Sequence, residues 1–418
     1  MSLEQPATVE QRYGWVMVGV ASIFIGIGMG SLLTVSVFMK PLIAEFGWLR
    51  GQTALAYMAA GVSYGLGGIV MGYLSDRYST RRIVLVGAVG LGASLLLLSN
   101  QSALWQLYIF YCLLGALGPS AFFAPLITNV GYWFDRNKGL ALGVTTAGRA
   151  VGQGFVPLLA GYLISAYGWQ RSYQTLAVFS WAVLLPLVLL VRTPSGVGAA
   201  RAAARQEAAS SEEDAVPIRV EIIVPWISAA AVFCCVTMAT PFIHLVALAE
   251  DQGIDAQSAA SVLTLSFIAS FFGAVAFGKI ADHIGSLRAY MLASAGQTAV
   301  VFWFTQVDSL MGFYFLAILF GLSFSGVITN LAVTVREMTP VHNRGVSLAI
   351  VSLFAWTGQG LGGYQGGIFF DLTGDYTLSY ANAAAAGIIN LIILAALYLH
   401  STRKQAALAD QPTSSIAG

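Results

Sequence analysis

The chain has 418 residues, of which 57% are hydrophobic and 9% are charged, against about 25% charged in an ordinary soluble domain. That composition excludes a water-facing surface of the usual kind. The net charge of +1 carries no information about a nucleic-acid partner, no basic cluster suggests one, and none is expected. Three cysteines, Cys112, Cys234 and Cys235, all fall inside apolar runs, so neither a disulfide framework nor a metal site is expected.

The polar segment from Met1 to Gln11 carries no cleavable signal, and the first apolar run is long enough to remain as a membrane span. Apolar runs between charged or turn-rich breaks predict twelve spans. In the first half these cover 13–39, 52–75, 83–99, 104–133, 139–165 and 173–191. In the second they cover 222–249, 258–281, 288–306, 310–335, 345–370 and 380–399. Most approach the roughly 20 apolar residues that cross a bilayer as a helix. The expected fold class is therefore an all-α membrane protein of two six-helix bundles. The bundles cover 1–192 and 221–400, with a linker at 193–220 and a tail at 401–418. The linker is rich in Ala, Ser, Glu and Arg and cannot bury a core.

With both ends in the cytoplasm, 16 of the 20 Lys and Arg lie in cytoplasmic segments or at their borders. Lys40, Arg50 and Arg171 fall outside and Arg149 lies within a span. This bias predicts cytoplasmic termini in a cell inner (plasma) membrane. The halves also repeat. Gly72-Tyr-Leu-Ser-Asp76 returns as Gly278-Lys-Ile-Ala-Asp282, and Gly152-Gln-Gly154 as Gly358-Gln-Gly360, both at an offset of 206 residues. Asn137-Lys-Gly139 and Asn343-Arg-Gly345 share that offset. One offset across three separated motifs indicates a duplicated six-helix unit.

The segment Gly72-x-x-x-Asp76-Arg77-x-x-x-Arg81-Arg82 between spans two and three, with its second copy through Asp282, Gly285 and Arg288, resembles the loop signature of the major facilitator superfamily. Ser79 stands where that pattern usually has glycine. The resemblance covers the whole chain. It implies twelve helices in two pseudo-symmetric bundles, and a cytoplasmic gate built on Asp76, Arg77, Arg81, Asp282 and Arg288. Two stretches, Gly131-Tyr-Trp-Phe134 with Lys138-Gly-Leu-Ala-Leu-Gly143, and Pro241-Phe-Ile-His-Leu-Val246, are similar to the monocarboxylate and oxalate/formate carrier branch. That branch implies a small organic anion moved by proton symport or anion exchange. The charges that many of its members use map here to Ala274, Ser270 and the vicinity of Leu33. The family's binding residues therefore do not carry over.

Arg149 stands instead about ten residues into span five, where an arginine costs about 2.5–3.5 kcal/mol unless it faces a polar cavity. Its repeat mate is Ala355. A guanidinium fork matches a carboxylate, which makes Arg149 the expected anion anchor; a structural arginine bonded to carbonyls or a tyrosine is the other reading. His244, deep in span seven, suits either proton exchange and anion binding opposite Arg149, or a structural role beside Pro241. Gln153 and Gln359 occupy equivalent places on spans five and eleven, and both are expected to face the interior. Asn129 and Asn330 form a second equivalent pair, suited to substrate binding or to bridging the halves. Tyr64, Phe123 and Trp356 are offered as cavity walls, while Gly26, Gly28 and Gly30 read as a close-packing face and not a phosphate loop.

The sequence thus predicts a monomeric secondary carrier for a small organic anion, with the proton as a possible partner and no cofactor. Efflux of neutral or hydrophobic compounds, with Arg149 structural, is the alternative. A sensor or intramembrane enzyme is disfavoured, since no signalling extension, nucleophile–base pair or metal-ligand spacing is present in the spans.

Overall fold

The computed structural model describes residues 7–134, 138–194, 220–340 and 343–409. Thirteen α-helices dominate the described chain. They are α1 (Ala7–Leu33), α2 (Val35–Phe46), α3 (Arg50–Arg77), α4 (Thr80–Ser99), α5 (Leu104–Gly131), α6 (Lys138–Tyr167), α7 (Trp169–Val188), α8 (Val220–Asp251), α9 (Ala256–Ile284), α10 (Ser286–Val301), α11 (Leu310–Met338), α12 (Arg344–Thr373) and α13 (Thr377–Ala409). A short 3₁₀ segment, Phe302–Gln306, extends α10.

Among the described residues, ten helical segments are long and apolar enough to cross a membrane, and the first, Arg12–Phe46, joins α1 and α2. The two remaining members of the series are α7, with 20 residues, and α10, with 16. Span one was expected to end at 39 but runs to Phe46, because the chain bends at Thr34 and resumes. The Thr34 hydroxyl donates to the Ser31 carbonyl at 2.7 Å and lies 3.2 Å from the Tyr111 hydroxyl, so the break's polar groups are satisfied inside the bundle. Helix α13 likewise outruns its expected end at 399. The linker motifs at 195–219 and the Asn137 copy of the repeat lie outside the described residues.

Large apolar side chains such as Ile69, Val151, Phe272, Met311, Phe315 and Ile392 are more than half exposed on the outer surface. Water would drive such a belt together, whereas lipid solvates it. The driving force between helices in lipid is close packing, and small residues supply it. On α1 and α6, Gly26 and Gly30 lie against Gly148 and Gly152, so closely that a Cβ on Gly152 would collide with the backbone of Gly26. This is the packing face expected of the span-one glycines.

The starts of α1 and α8 and the end of α13 share one face, termed the terminal face; the opposite face is termed distal. Across the two sets of helices, α3 packs on α12, α6 on α9 and α2 on α8. The close pairs Gly51 with Gly367, Met58 with Gly360, Gly154 with Thr264 and Gly161 with Ala260 come from the distal halves of these helices, and the α3–α12 contacts extend as far as Gly65 with Leu353 near mid-length. The bundle is therefore closed on its distal face and parted on its terminal face. Gly152→Val is expected to destabilise the fold by about 3 kcal/mol through overpacking at Gly26, read as a fall in the unfolding midpoint of the detergent-solubilised protein.

Candidate functional site

Two polar assemblies lie between the halves, one at mid-depth and one at the distal face. The first gathers around Arg149. On α6 its Nε donates to Gln153 Oε1 at 3.0 Å, an i to i+4 pair on the inward face of the helix. Opposite, on α3 and α12, the Tyr57 hydroxyl donates to Gln359 Oε1 at 2.6 Å, a bond that joins the halves. Gln359 also lies beside the buried thiol of Cys235 on α8. Arg149 is close enough to Tyr57, Tyr64 and Cys235 to act on them electrostatically. Tyr64 and Trp356 stand edge to face with ring centroids 4.8 Å apart, again one from each half.

This cluster brings together five of the expected residues: Arg149, Gln153, Gln359, Tyr64 and Trp356. Gln153 and Gln359 are buried, while Arg149 is half-buried. Its two terminal nitrogens donate to no described residue, and no described carboxylate reaches its side chain. A planar donor fork thus lies at the interface with no counter-ion among the described residues. Tyr57 and Cys235 were missed from sequence because a tyrosine or cysteine in an apolar run is usually packing.

Other expectations are corrected. His244 does not face Arg149: its ring nitrogens lie against Tyr376 and the Gly363 carbonyl, and it stands nine residues further along α8 than Cys235, on which the charge of Arg149 acts, about 13 Å by helix rise. Asn330 is fully buried in the second set of helices, its amide donating to the Gly326 carbonyl of its own helix at 2.8 Å. Asn129 neither bridges the halves nor lines the cluster; it bonds Thr193 at 3.2 Å and accepts from Trp133 at 3.1 Å. Phe123 is half-buried against the apolar core and makes no ring contact with Tyr64 or Trp356. A separate cavity of about 450 Å³, lined by residues such as Gly26, Val151, Phe155 and Phe271, is an apolar recess whose Ser22 hydroxyl is already bonded to backbone.

The second assembly closes the distal face. Arg50, at the start of α3, forms a two-pronged pair with Asp251 at the end of α8, at 2.6 and 3.0 Å. Lys40 of α2 lies 2.7 Å from the same carboxylate and 3.5 Å from Glu250. Asp371 of α12 accepts the backbone N–H groups of Arg50 at 2.9 Å and Gly51 at 2.8 Å, so a carboxylate of one half caps the N-terminus of a helix in the other. The Arg50 guanidinium lies 3.6 Å over the Phe370 ring and donates to the Tyr376 hydroxyl at 2.7 Å. That hydroxyl lies 3.1 Å from Nδ1 of His244, which is fully buried. The other ring nitrogen, Nε2, lies 2.7 Å from the Gly363 carbonyl. Lys40 and Arg50 of this assembly are two of the three cations on the wrong side of the orientation bias, but nothing in the sequence pairs them with Glu250, Asp251 or Asp371.

All ion pairs among the described residues belong to this distal assembly. On the terminal face, Arg77 and Arg81 are exposed, Asp282 is exposed, and Arg288 donates to Tyr398 of its own half at 2.9 Å. The side chain of Asp76 lies outside the described residues.

The profile of the Major Facilitator Superfamily matches residues 16–238 and again 225–415. The chain belongs to the Major Facilitator Superfamily. It is a multi-pass membrane transporter and not an enzyme. Among its superfamily relatives, human "Monocarboxylate transporter 2" is 24% identical over 420 residues, covering 93% of this chain and 84% of that one. The uncharacterized MFS-type transporter YcxA of Bacillus subtilis is 28% identical over 384 residues, covering 88% and 91%. Among solved structures, a peptide transporter POT in complex with sulfate superposes with a TM-score of 0.74 at 14% identity, covering 93% and 95%. A bacterial homologue of the human lysosomal transporter Spinster, inward-facing and occupied, gives 0.70 at 14% identity, covering 94% and 97%. At these identities the structures establish the superfamily fold alone.

Asp251→Asn removes the carboxylate that Arg50 and Lys40 share. With the pair partly solvent-screened, the loss to the closed distal face is about 1–2 kcal/mol. The ratio of distally open to closed molecules should rise about tenfold, measured as the distance distribution between spin labels on unnatural residues at the exposed positions Glu45 and Gln257.

Proposed function

We propose that this transporter carries a small, monocarboxylate-like organic anion by alternating access, with Arg149 as the anchor for its carboxylate. The supporting observation is the guanidinium between the halves whose terminal nitrogens find no partner among the described residues. Such a group at mid-depth calls for an anion. Gln153 orients the fork through Nε, leaving the outer pair of nitrogens free for a two-pronged bond. Tyr57 and Gln359, already bonded across the interface, and the Tyr64–Trp356 pair supply polar and aromatic walls contributed by both halves. The relatives named for monocarboxylate transport support this substrate class.

The lysine and arginine bias supports a terminal face in the cytoplasm and a distal face outside. On that orientation the protein is in its inward-open state in a cell inner (plasma) membrane. Outward opening separates Lys40 and Arg50 from Glu250, Asp251 and Asp371, and the loops carrying Arg77, Arg81, Asp282 and Arg288 then close the cytoplasmic side. Each bundle moves as a unit about the fixed mid-depth site.

The charge of Arg149 also favours exchange over net flow. Passing through an occluded state with a bare guanidinium is costly, whereas a bound carboxylate neutralises it. The loaded carrier therefore crosses more readily than the empty one. In proteoliposomes, uptake of radiolabelled small monocarboxylates should be several-fold faster with unlabelled monocarboxylate inside than without. Arg149→Gln should lower transport by about 10- to 100-fold, the equivalent of a charge-assisted hydrogen bond worth about 1.5–3 kcal/mol. Full transport by that variant would remove the anchor from Arg149.

A further inference from the structure

His244 is a buried titratable group that the substrate site does not use. Its surroundings fix its protonation pattern. The Gly363 carbonyl can only accept, so Nε2 carries the hydrogen and donates at 2.7 Å. Nδ1 is then the acceptor, and the Tyr376 O–H donates to it across 3.1 Å. The Tyr376 oxygen in turn accepts from Arg50 Nη1 at 2.7 Å, and the same Nη1 donates to Asp251 at 2.6 Å. A neutral imidazole therefore stands at the inner end of a directional chain, His244 to Tyr376 to Arg50 to Asp251, that closes the distal face. The ring also sits in a notch of α12, where a Cβ on Gly366 would meet its Nε2 at 2.8 Å.

We propose that His244 is a proton-binding site controlling the distal gate: a proton taken up at Nδ1 breaks its bond from Tyr376 and shifts the carrier toward distal opening. The proton converts Nδ1 from acceptor to donor. The Tyr376 oxygen then faces two cationic donors, the imidazolium and the Arg50 guanidinium, while its own hydrogen loses its acceptor. Among the described residues that hydroxyl bonds only Arg50 and His244. The cheapest escape is to part α3 from α8 and α12. By linkage, the open distal face binds the proton more tightly than the closed one. The proton leaves outward when the gate closes, so it regulates the gate and is not itself carried.

The charged and titratable groups around the chain are Lys40 on α2, Arg50 on α3, Glu250 and Asp251 on α8, Asp371 on α12, and Tyr376 ahead of α13. The carboxylates could also open the gate in acid, so the test must separate them from His244. The proposal rests on the alternating-access reading above and not on the identity of the anion.

The test uses the full-length protein in lipid nanodiscs without substrate, with the spin labels at positions 45 and 257 and acidification from about pH 7.5 to about pH 5.5, a range that spans imidazole titration. In the otherwise unaltered protein the ratio of open to closed molecules should rise roughly fivefold or more. In His244→Gln, whose amide still donates to the Gly363 carbonyl, the response should be lost. Tyr376→Phe, which leaves His244 in place but cuts its link to Arg50, should lose it as well. Acid opening that persists in His244→Gln assigns the response to the carboxylates and overturns the proposal. So does the absence of any acid response where Asp251→Asn still opens the gate. Labels that never separate under either change overturn alternating access itself, and the proposal with it.

Discussion

A guanidinium in the middle of a bilayer is tolerated only where the protein or a ligand answers its charge. This chain places two arginines between its halves, and the contrast between them organises the rest of the structure. Arg50 is saturated, with Asp251 in two-pronged contact, Tyr376 on the same nitrogen and Phe370 beneath its plane. Arg149 makes, among the described residues, a single side-chain hydrogen bond, to Gln153. The saturated arginine ties the two halves together at the distal face, and the unsaturated one is the residue on which the proposed anion site rests.

The fold supplies the geometry for both. Close glycine contacts, such as Gly26 with Gly152 in the first half and Gly362 with Val236 in the second, make each half a tight unit, as the proposed rocking of one half against the other requires. The distal parts of α3 and α12 meet through Gly51 and Gly367, and the same helices, some two turns deeper, carry Tyr57 and Gln359 into the Arg149 cluster. Helix α8 does likewise, with Asp251 and His244 in the gate and Cys235 beside Arg149. Gate and site thus share rigid elements, so a change at one end of α8 or α12 bears on the other.

Hydropathy and the repeat at one offset made the fold legible, since lipid requires long apolar helices and duplication copies motifs in register. The Arg149 cluster was legible in part because charge and amides inside apolar spans are costly enough to signal purpose. The gate was not, although Lys40, Arg50, Glu250, Asp251 and Asp371 were all visible. Charges at span ends are ordinary, and which of them pair depends on how the helices close in three dimensions. His244 was misplaced for a related reason. Residue counting gives approximate depth but not the partner at that depth, and the spacing of seven residues that puts His244 on the same face of α8 as Asp251 gains meaning only with Arg50 and Tyr376 beside it.

The central claim is that the mid-depth site recognises negative charge through Arg149. Thermal unfolding of the purified protein with matched pairs of small monocarboxylates and their neutral amides tests this directly, because a ligand of the folded state raises its unfolding temperature. At least one carboxylate should stabilise the protein while its amide does not, and Arg149→Gln should abolish that difference. Equal stabilisation by acid and amide, or an undiminished difference in Arg149→Gln, would contradict it.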